Sequence, residues 1–176
     1  MRKIVLTYGL IAGAILSVLM VATMPFIDRI GFDRGMIVGY TTMVMAFLMI
    51  YFGVRAYRDN VLGGQISFGR ALGTGLLIAF VASICYVATW EVVSRTFMPD
   101  FADKYAAHAI DKAKREGASE AEITAMTTEM AEFKQMYANP LIKIGFTFLE
   151  PLPVGVLFAL LSAGVHSRKR QVMVAS

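Results

Sequence analysis

The stretch Ala71–Val93, ALGTGLLIAFVASICYVATWEVV, decides the fold. Its first charged residue is Glu91, close to its end. A helix needs about 20 mainly apolar residues to cross a hydrocarbon core of roughly 30 Å, so residues 71–93 read as a membrane span. Three further runs read the same way: 4–26, 36–54 (MIVGYTTMVMAFLMIYFGV) and 141–165. The whole chain of 176 residues is 57% hydrophobic and only 17% charged, where soluble domains sit near a quarter charged. Its charges cluster at the N-terminus, at 28–34, 55–70 and 95–143, and at the C-terminus, leaving the apolar runs between them. The expected fold is therefore a single all-α integral membrane domain with four transmembrane helices.

Arg2 and Lys3 precede the first run, which raises a signal peptide. The run is longer than a usual signal core and no small-x-small cleavage site follows it, so it reads as a retained span. A net charge of +4 invites a nucleic-acid partner, but the basic residues flank apolar runs and do not stripe a polar face, which is the pattern of topology determinants. No nucleic acid is expected. Cys85, the single cysteine, has no partner for an intrachain disulfide.

Orientation follows from Lys and Arg placement. Arg2 and Lys3, then Arg55, Arg58 and Arg70, then Arg168, Lys169 and Arg170 fall on one side of the four spans. The turn at 27–35 offsets Arg29 and Arg34 with Asp28 and Asp33, and the segment 94–140 nearly balances its charges. The basic side is expected to be cytoplasmic, with both termini there.

The segment between the third and fourth spans predicts an extracytoplasmic helical hairpin over residues 99–138. Pro99 suits a first helical turn, since its missing N–H has no partner there in any case. Asp100 and Asp103 complement the helix dipole, and Gly117 is a ready stop. Ser119 and Glu122 form an S-x-x-E capping box. Ile123, Met126, Met130, Phe133 and Tyr137 follow at spacings of three and four, an apolar stripe, and Asn139–Pro140 ends it. The first hairpin helix offers Phe101, Tyr105, Ala109 and Ala113. These stripes need cover, from each other, the membrane surface or a partner protein.

Two small-residue faces bear on how the spans pack. Gly9, Gly13 and Ser17 repeat every four residues on the first span, and Ala71, Gly75, Ala79 and Ser83 do so on the third. Such faces let helix backbones approach closely in lipid. Packing of the first span on the third is the expected use, with homodimerisation through either face as the alternative.

The strings TYGLIAGAI (7–15), GYTTMVMAF (39–47), YFGVRAYRDNVLGGQISFGRALGTGLLIA (51–79), ATWEVV (88–93) and FLEPLPVG (148–155) together resemble a bacterial membrane family known as domain of unknown function 4199. The resemblance extends over nearly the whole chain and is most specific over Tyr51–Ala79. It implies a four-span integral membrane protein, placed in the bacterial inner membrane, and carries no functional residue.

Any site must then come from the residues themselves. Glu150 stands in an apolar run beside Pro151 and Pro153. It lies roughly 10 Å deeper than Lys143 and some 27 Å from Arg168 along a helix. An ionisable group at that depth costs about 2.5–3.5 kcal/mol unless it is paired, hydrated or neutral. The two prolines lack an N–H, so the carbonyls of Thr147 and Leu149 lose their helical partners. Glu150 with the Thr147 and Leu149 carbonyls is thus a candidate proton or cation site, of the kind broken transporter helices use. The alternative is a kinked helix whose acid bonds locally. Glu91, about 31 Å along the helix from Arg70, belongs at the outer interface with Trp90 as an aromatic anchor and Arg95 as its i+4 partner. A wet vestibule shared by Glu91, Glu150 and Tyr86 is the other reading.

Arg55, Arg58 and Arg70 are expected to meet anionic lipid headgroups. Gly63, Gly64 and Gly69 lie between them in a loop that does not match a Walker A phosphate loop, and Ser67 is a candidate cap for the third helix. His108 and His166 have no second ligand at metal spacing, and Met126 and Met130 read as packing rather than copper capture. No metal or cofactor is expected. No serine–histidine–acid set is visible, so the chain reads as a non-enzymatic interaction or accessory protein contacting a partner through residues 99–138. A small proton- or cation-coupled carrier centred on Glu150 is the second reading.

Overall fold

The computed structural model of the chain describes residues 1–167; Arg168, Lys169 and Arg170 of the expected cytoplasmic tail lie outside them. The described residues are helical with no strand. In chain order they form α1 (Arg2–Thr23), a 3₁₀ turn (Met24–Phe26), α2 (Ile27–Ile30), α3 (Phe32–Asn60), α4 (Phe68–Thr96), α5 (Phe101–Arg115), α6 (Glu120–Ala138), α7 (Pro140–Leu149) and α8 (Leu152–His166). Four lengths are long and apolar enough to cross a membrane: α1, α3, α4, and α7 with α8 taken together. The last three cover their predicted spans, whereas α1 stops at Thr23, short of the expected end at residue 26, where a 3₁₀ turn takes over. Only 22–39% of the residues in these apolar windows are buried inside the protein. Leu10, Val18, Ile37, Phe80, Val92 and Leu161 all face outward. Aqueous solvent does not stabilise so broad an apolar belt, whereas lipid does.

The spans alternate in direction. One end of the bundle carries the start of α1, the α3–α4 turn and the end of α8; it is called the terminal end below. The other carries α2, the start of α3 and the α5–α6 pair, and is called the hairpin end. At the terminal end Gly63 and Gly64 take positive φ values of 67° and 93°, and the Gly64 N–H bonds the Arg58 carbonyl at 2.9 Å. Of the three glycines weighed against a phosphate loop, Gly63 and Gly64 serve this turn and Gly69 lies in the first turn of α4. Ser67 does sit at the N-cap of α4, but its side chain makes no capping bond.

α1 packs most extensively on α4, and α4 next on α8. A Cβ added at Gly9 would meet Val81 at 2.7 Å, and one at Gly13 would meet Cys85 at 2.5 Å. Ser17 Oγ and Thr89 Oγ1 are 2.7 Å apart. The small face of α1 is therefore set on α4, as expected. It does not meet the small face of α4, which turns to α8. There a Cβ at Gly75 would meet Ala159 at 2.9 Å, and one at Gly155 would meet Ala79 at 2.8 Å. Ala71, Ala79 and Ser83 are buried along the same line. Each small face is used within the bundle, which removes the motive for homodimerisation through either one. α8 brings its own four-residue repeat, Gly155, Ala159 and Ala163, which the sequence reading passed over. Phe47, Ile50, Val54 and Ile78 fill the space between the seams and are fully buried.

At the hairpin end, α5 and α6 lie against each other. The capping box is present: the Ser119 N–H donates to Glu122 Oε2 at 2.8 Å, and the Glu122 N–H donates to Ser119 Oγ at 3.4 Å. These bonds hold the Glu122 carboxyl below its ordinary range. Gly117 ends α5 in a left-handed conformation with φ of 82°, with the Ala118 N–H bonded to the Ala113 carbonyl at 3.0 Å. Pro99 differs from expectation. It lies in a turn closed by the Phe101 N–H and the Met98 carbonyl at 3.1 Å, a place its fixed φ suits as well as a first helical turn, and α5 begins two residues later. Asn139 does more than end α6, since its side chain accepts from the Leu141 N–H at 3.0 Å and caps α7.

Candidate functional site

Helix α7 stops at Leu149 and α8 starts at Leu152. Pro151 supplies no N–H for continuation, and Pro153 follows within the first turn of α8. Glu150 stands at this break. Tyr86 of α4 donates a 2.9 Å hydrogen bond to Glu150 Oε2. The two residues are 64 positions apart, and the packing of α7 on α4 joins them.

Both line a half-open cavity of about 420 Å³ at the hairpin end. α1 and α3 contribute Leu16, Met20, Met36 and Thr42; α4 contributes Tyr86 and Trp90; α7 contributes Phe146 and Thr147. The hairpin closes one side with Phe101, Tyr105, Phe133 and Tyr137. Its size falls in the range of small-molecule pockets, roughly 300–1,000 Å³. Glu150 keeps accessible surface because it faces this open volume. Thr147 is buried with its hydroxyl turned to the Lys143 carbonyl at 2.9 Å. Leu149 is 60% exposed and does not line the cavity. Thr147 and Glu150 line one space; at Leu149 the expected ligand is the backbone carbonyl, and its side chain points away from the cavity.

The hairpin aromatics form a continuous cluster. Trp90 meets Phe101 edge-on with centroids 4.9 Å apart, and Phe133 meets Tyr137 at 5.3 Å and Tyr105 at 5.4 Å. Trp90 Nε1 donates to the Tyr137 hydroxyl at 2.7 Å. Trp90 is half-buried, and its indole N–H finds its partner on the hairpin. Burial pushes the Tyr137 hydroxyl up to about 12, so it stays protonated at any ordinary pH.

Glu91 pairs with Arg95 at 2.9 Å as expected, and also with Lys143 of α7 at 2.9 Å. The second pair was invisible in the sequence. Glu91 and Lys143 side chains are only 16% and 12% exposed, so they bind α4 to α7 largely out of water. Glu91 does not line the cavity. Of the three residues of the alternative vestibule, Tyr86 and Glu150 share it and Glu91 braces its edge. The hairpin is further tied to the start of α3, where Asp33 accepts from Lys112 at 3.0 Å with His108 Nε2 3.4 Å away, and within itself by Lys134 and Asp103. The Asp33 contact raises the Lys112 pKa.

At the terminal end, Arg58 bonds Asp59 at 2.7 and 3.2 Å, and Arg55 lies 3.6 Å from the same acid. Arg70 is exposed. His166 is buried, with Nδ1 2.8 Å from the Ser162 carbonyl and its ring edge-on to Tyr51. Among the described residues no group of three His, Cys, Asp or Glu side chains is placed to hold a metal ion.

Four apolar helices joined by small-residue seams, with a polar pair at a helix break, define a multi-pass helical membrane protein. The chain belongs to the family described as protein of unknown function, DUF4199, whose model matches residues 7–168. No curated protein and no solved structure matches it.

Proposed function

We propose that this is a non-enzymatic protein of a bacterial inner membrane that takes up a proton or a cation at Glu150, as a small binding protein or carrier. The termini lie in the cytoplasm and the hairpin outside it. Supporting that orientation, Arg2, Lys3, Arg55, Arg58 and Arg70 gather at the terminal end with Asp59 as the acid beside them, whereas the hairpin end mixes both signs. The single observation that carries the site reading is the Tyr86–Glu150 hydrogen bond on the wall of the cavity, where the fourth span is broken. An acid inside a membrane span is costly and in general marks a proton or ion path. The other titratable groups around it among the described residues are the tyrosines Tyr86 of α4, Tyr105 of α5, Tyr137 of α6 and Tyr40 of α3; none of them is basic, and Lys143 is engaged by Glu91.

Trp90, the single tryptophan, lines the same cavity and reports on it. In nanodiscs its fluorescence should titrate with pH, and Glu150→Gln should abolish that titration while leaving the thermal melt unchanged. A titration that survives in the variant would overturn the assignment.

A second reading is an accessory protein that binds a partner through the hairpin. It draws on α6, which has no buried residue and carries Glu120, Glu129 and Glu132 on exposed positions. The apolar stripe that first motivated a partner, however, packs on α5. Deleting residues 95–139 and comparing what the two forms retain from membranes tests this reading.

A further inference from the structure

The cavity carries more information than the acid on its wall. Among the described residues that line it, Glu150 is the only charged one, and none is Lys, Arg or His. An anionic occupant would meet one negative group and no positive one. A cation would meet a carboxylate and the faces of an aromatic cluster, which attract positive charge most strongly where water is scarce. The remaining wall, built from residues such as Leu16, Met20, Ile27 and Met36, is apolar. Methionines adapt their shape to the body they pack against. A small inorganic ion would leave most of about 420 Å³ unfilled. Charge, aromatic faces and apolar volume are together complementary to one chemical class.

We propose that the cavity is a binding site for a lipophilic monovalent cation, such as an amphiphilic amine or a quaternary ammonium or phosphonium ion, with its charge between Glu150 and the hairpin aromatics and its apolar body against α1 and α3. This rests on the reading of Glu150 as a group that exchanges a proton for a cation, and it names the cation. A proton and the ligand compete for one carboxylate, so affinity falls as the pH falls. Tyr86 donates to that carboxylate from α4, Tyr137 and Tyr40 approach from α6 and α3, Tyr105 of α5 lines the same space, the α1 residues that line it are not titratable, and Lys143 of α7 is turned to Glu91.

The test uses two probes of nearly equal size and opposite charge, tetraphenylphosphonium and tetraphenylborate, titrated into the full chain in zwitterionic nanodiscs while Trp90 fluorescence is followed. The phosphonium should give a saturable change and the borate none. Glu150→Gln should weaken phosphonium binding by at least about tenfold, whereas Glu150→Asp, which keeps the charge, should restore much of it. Equal affinity in wild type and Glu150→Gln, equal binding of the borate, or no saturable phosphonium binding would each overturn the proposal. The pH titration of Trp90 without any probe separates the two readings. If it persists and depends on Glu150 while the phosphonium fails, the ligand class is wrong and the protonatable site stands. If it is lost as well, both fall.

Discussion

The two ends of the bundle are held together by different physics. At the terminal end, glycine and alanine seams bring α4 within backbone contact of α8, and Phe47, Ile50 and Val54 fill what remains. At the hairpin end, large aromatic rings prop the helices apart, and polar contacts pin them: Glu91 to Lys143, Asp33 to Lys112, Trp90 to Tyr137. Close packing leaves no room for a guest. Props and pins leave a cavity and place chemistry on its wall. The difference puts open volume at the hairpin end and the closest backbone packing at the other.

The largest expected effect comes from the strongest pin. Lys143→Met should destabilise the fold by about 3 kcal/mol, because it leaves a mostly buried Glu91 with only an exposed partner; unfolding in detergent measures it. Next is a seam. Gly75→Leu should cost about 1–3 kcal/mol by overpacking against Ala159 and Ile50. Gly39→Leu, at a cavity-lining position where an added Cβ meets nothing within 4 Å, should stay within about 0.5 kcal/mol. Equal losses at the two glycines would erase the contrast between the ends. Tyr137→Phe keeps the ring and leaves the Trp90 N–H without its acceptor, for about 1 kcal/mol and a shift in tryptophan emission. The smallest effect belongs to the α6 cap, where Ser119→Ala should cost about 0.5–1 kcal/mol. Its pH dependence has a definite sign. The Glu122 carboxyl is lowered in the folded state by its Ser119 bonds, so its contribution is whole above the ordinary glutamate range. It is lost as the pH falls through the lowered folded value. Helicity of wild type and Ser119→Ala should therefore converge in acid.

Much of the fold was legible because it is written locally. Each span announces itself by length and apolarity, and the Ser119–Glu122 box, the Gly117 stop and the Glu91–Arg95 pair all close within a few residues. Glu150 was legible as an anomaly of depth. What stayed hidden depends on how each helix is rotated about its axis. The α4 face of Ala71, Gly75 and Ala79 was visible as a face, but no rule of spacing says that it meets α8 rather than α1. Lys143 and Glu91 are 52 positions apart in sequence, and neither looks unusual alone. Trp90 was legible as a tryptophan at a span end; its partner Tyr137 sits on the hairpin, whose docking the sequence does not encode in any short motif. The aromatic stripe of α6 needed a cover, and its cover proved to be its own neighbour and the cavity.

The proline break has a mechanical consequence. α8 is clamped along Gly155 and Ala159, while α7 is a ten-residue arm joined to it by Glu150 and Pro151 and held at its far end by Lys143. Motion of that arm would turn the carboxylate without disturbing the seam. A continuous helix in its place would be a stiff rod, and the acid would then have one fixed bearing for the life of the molecule.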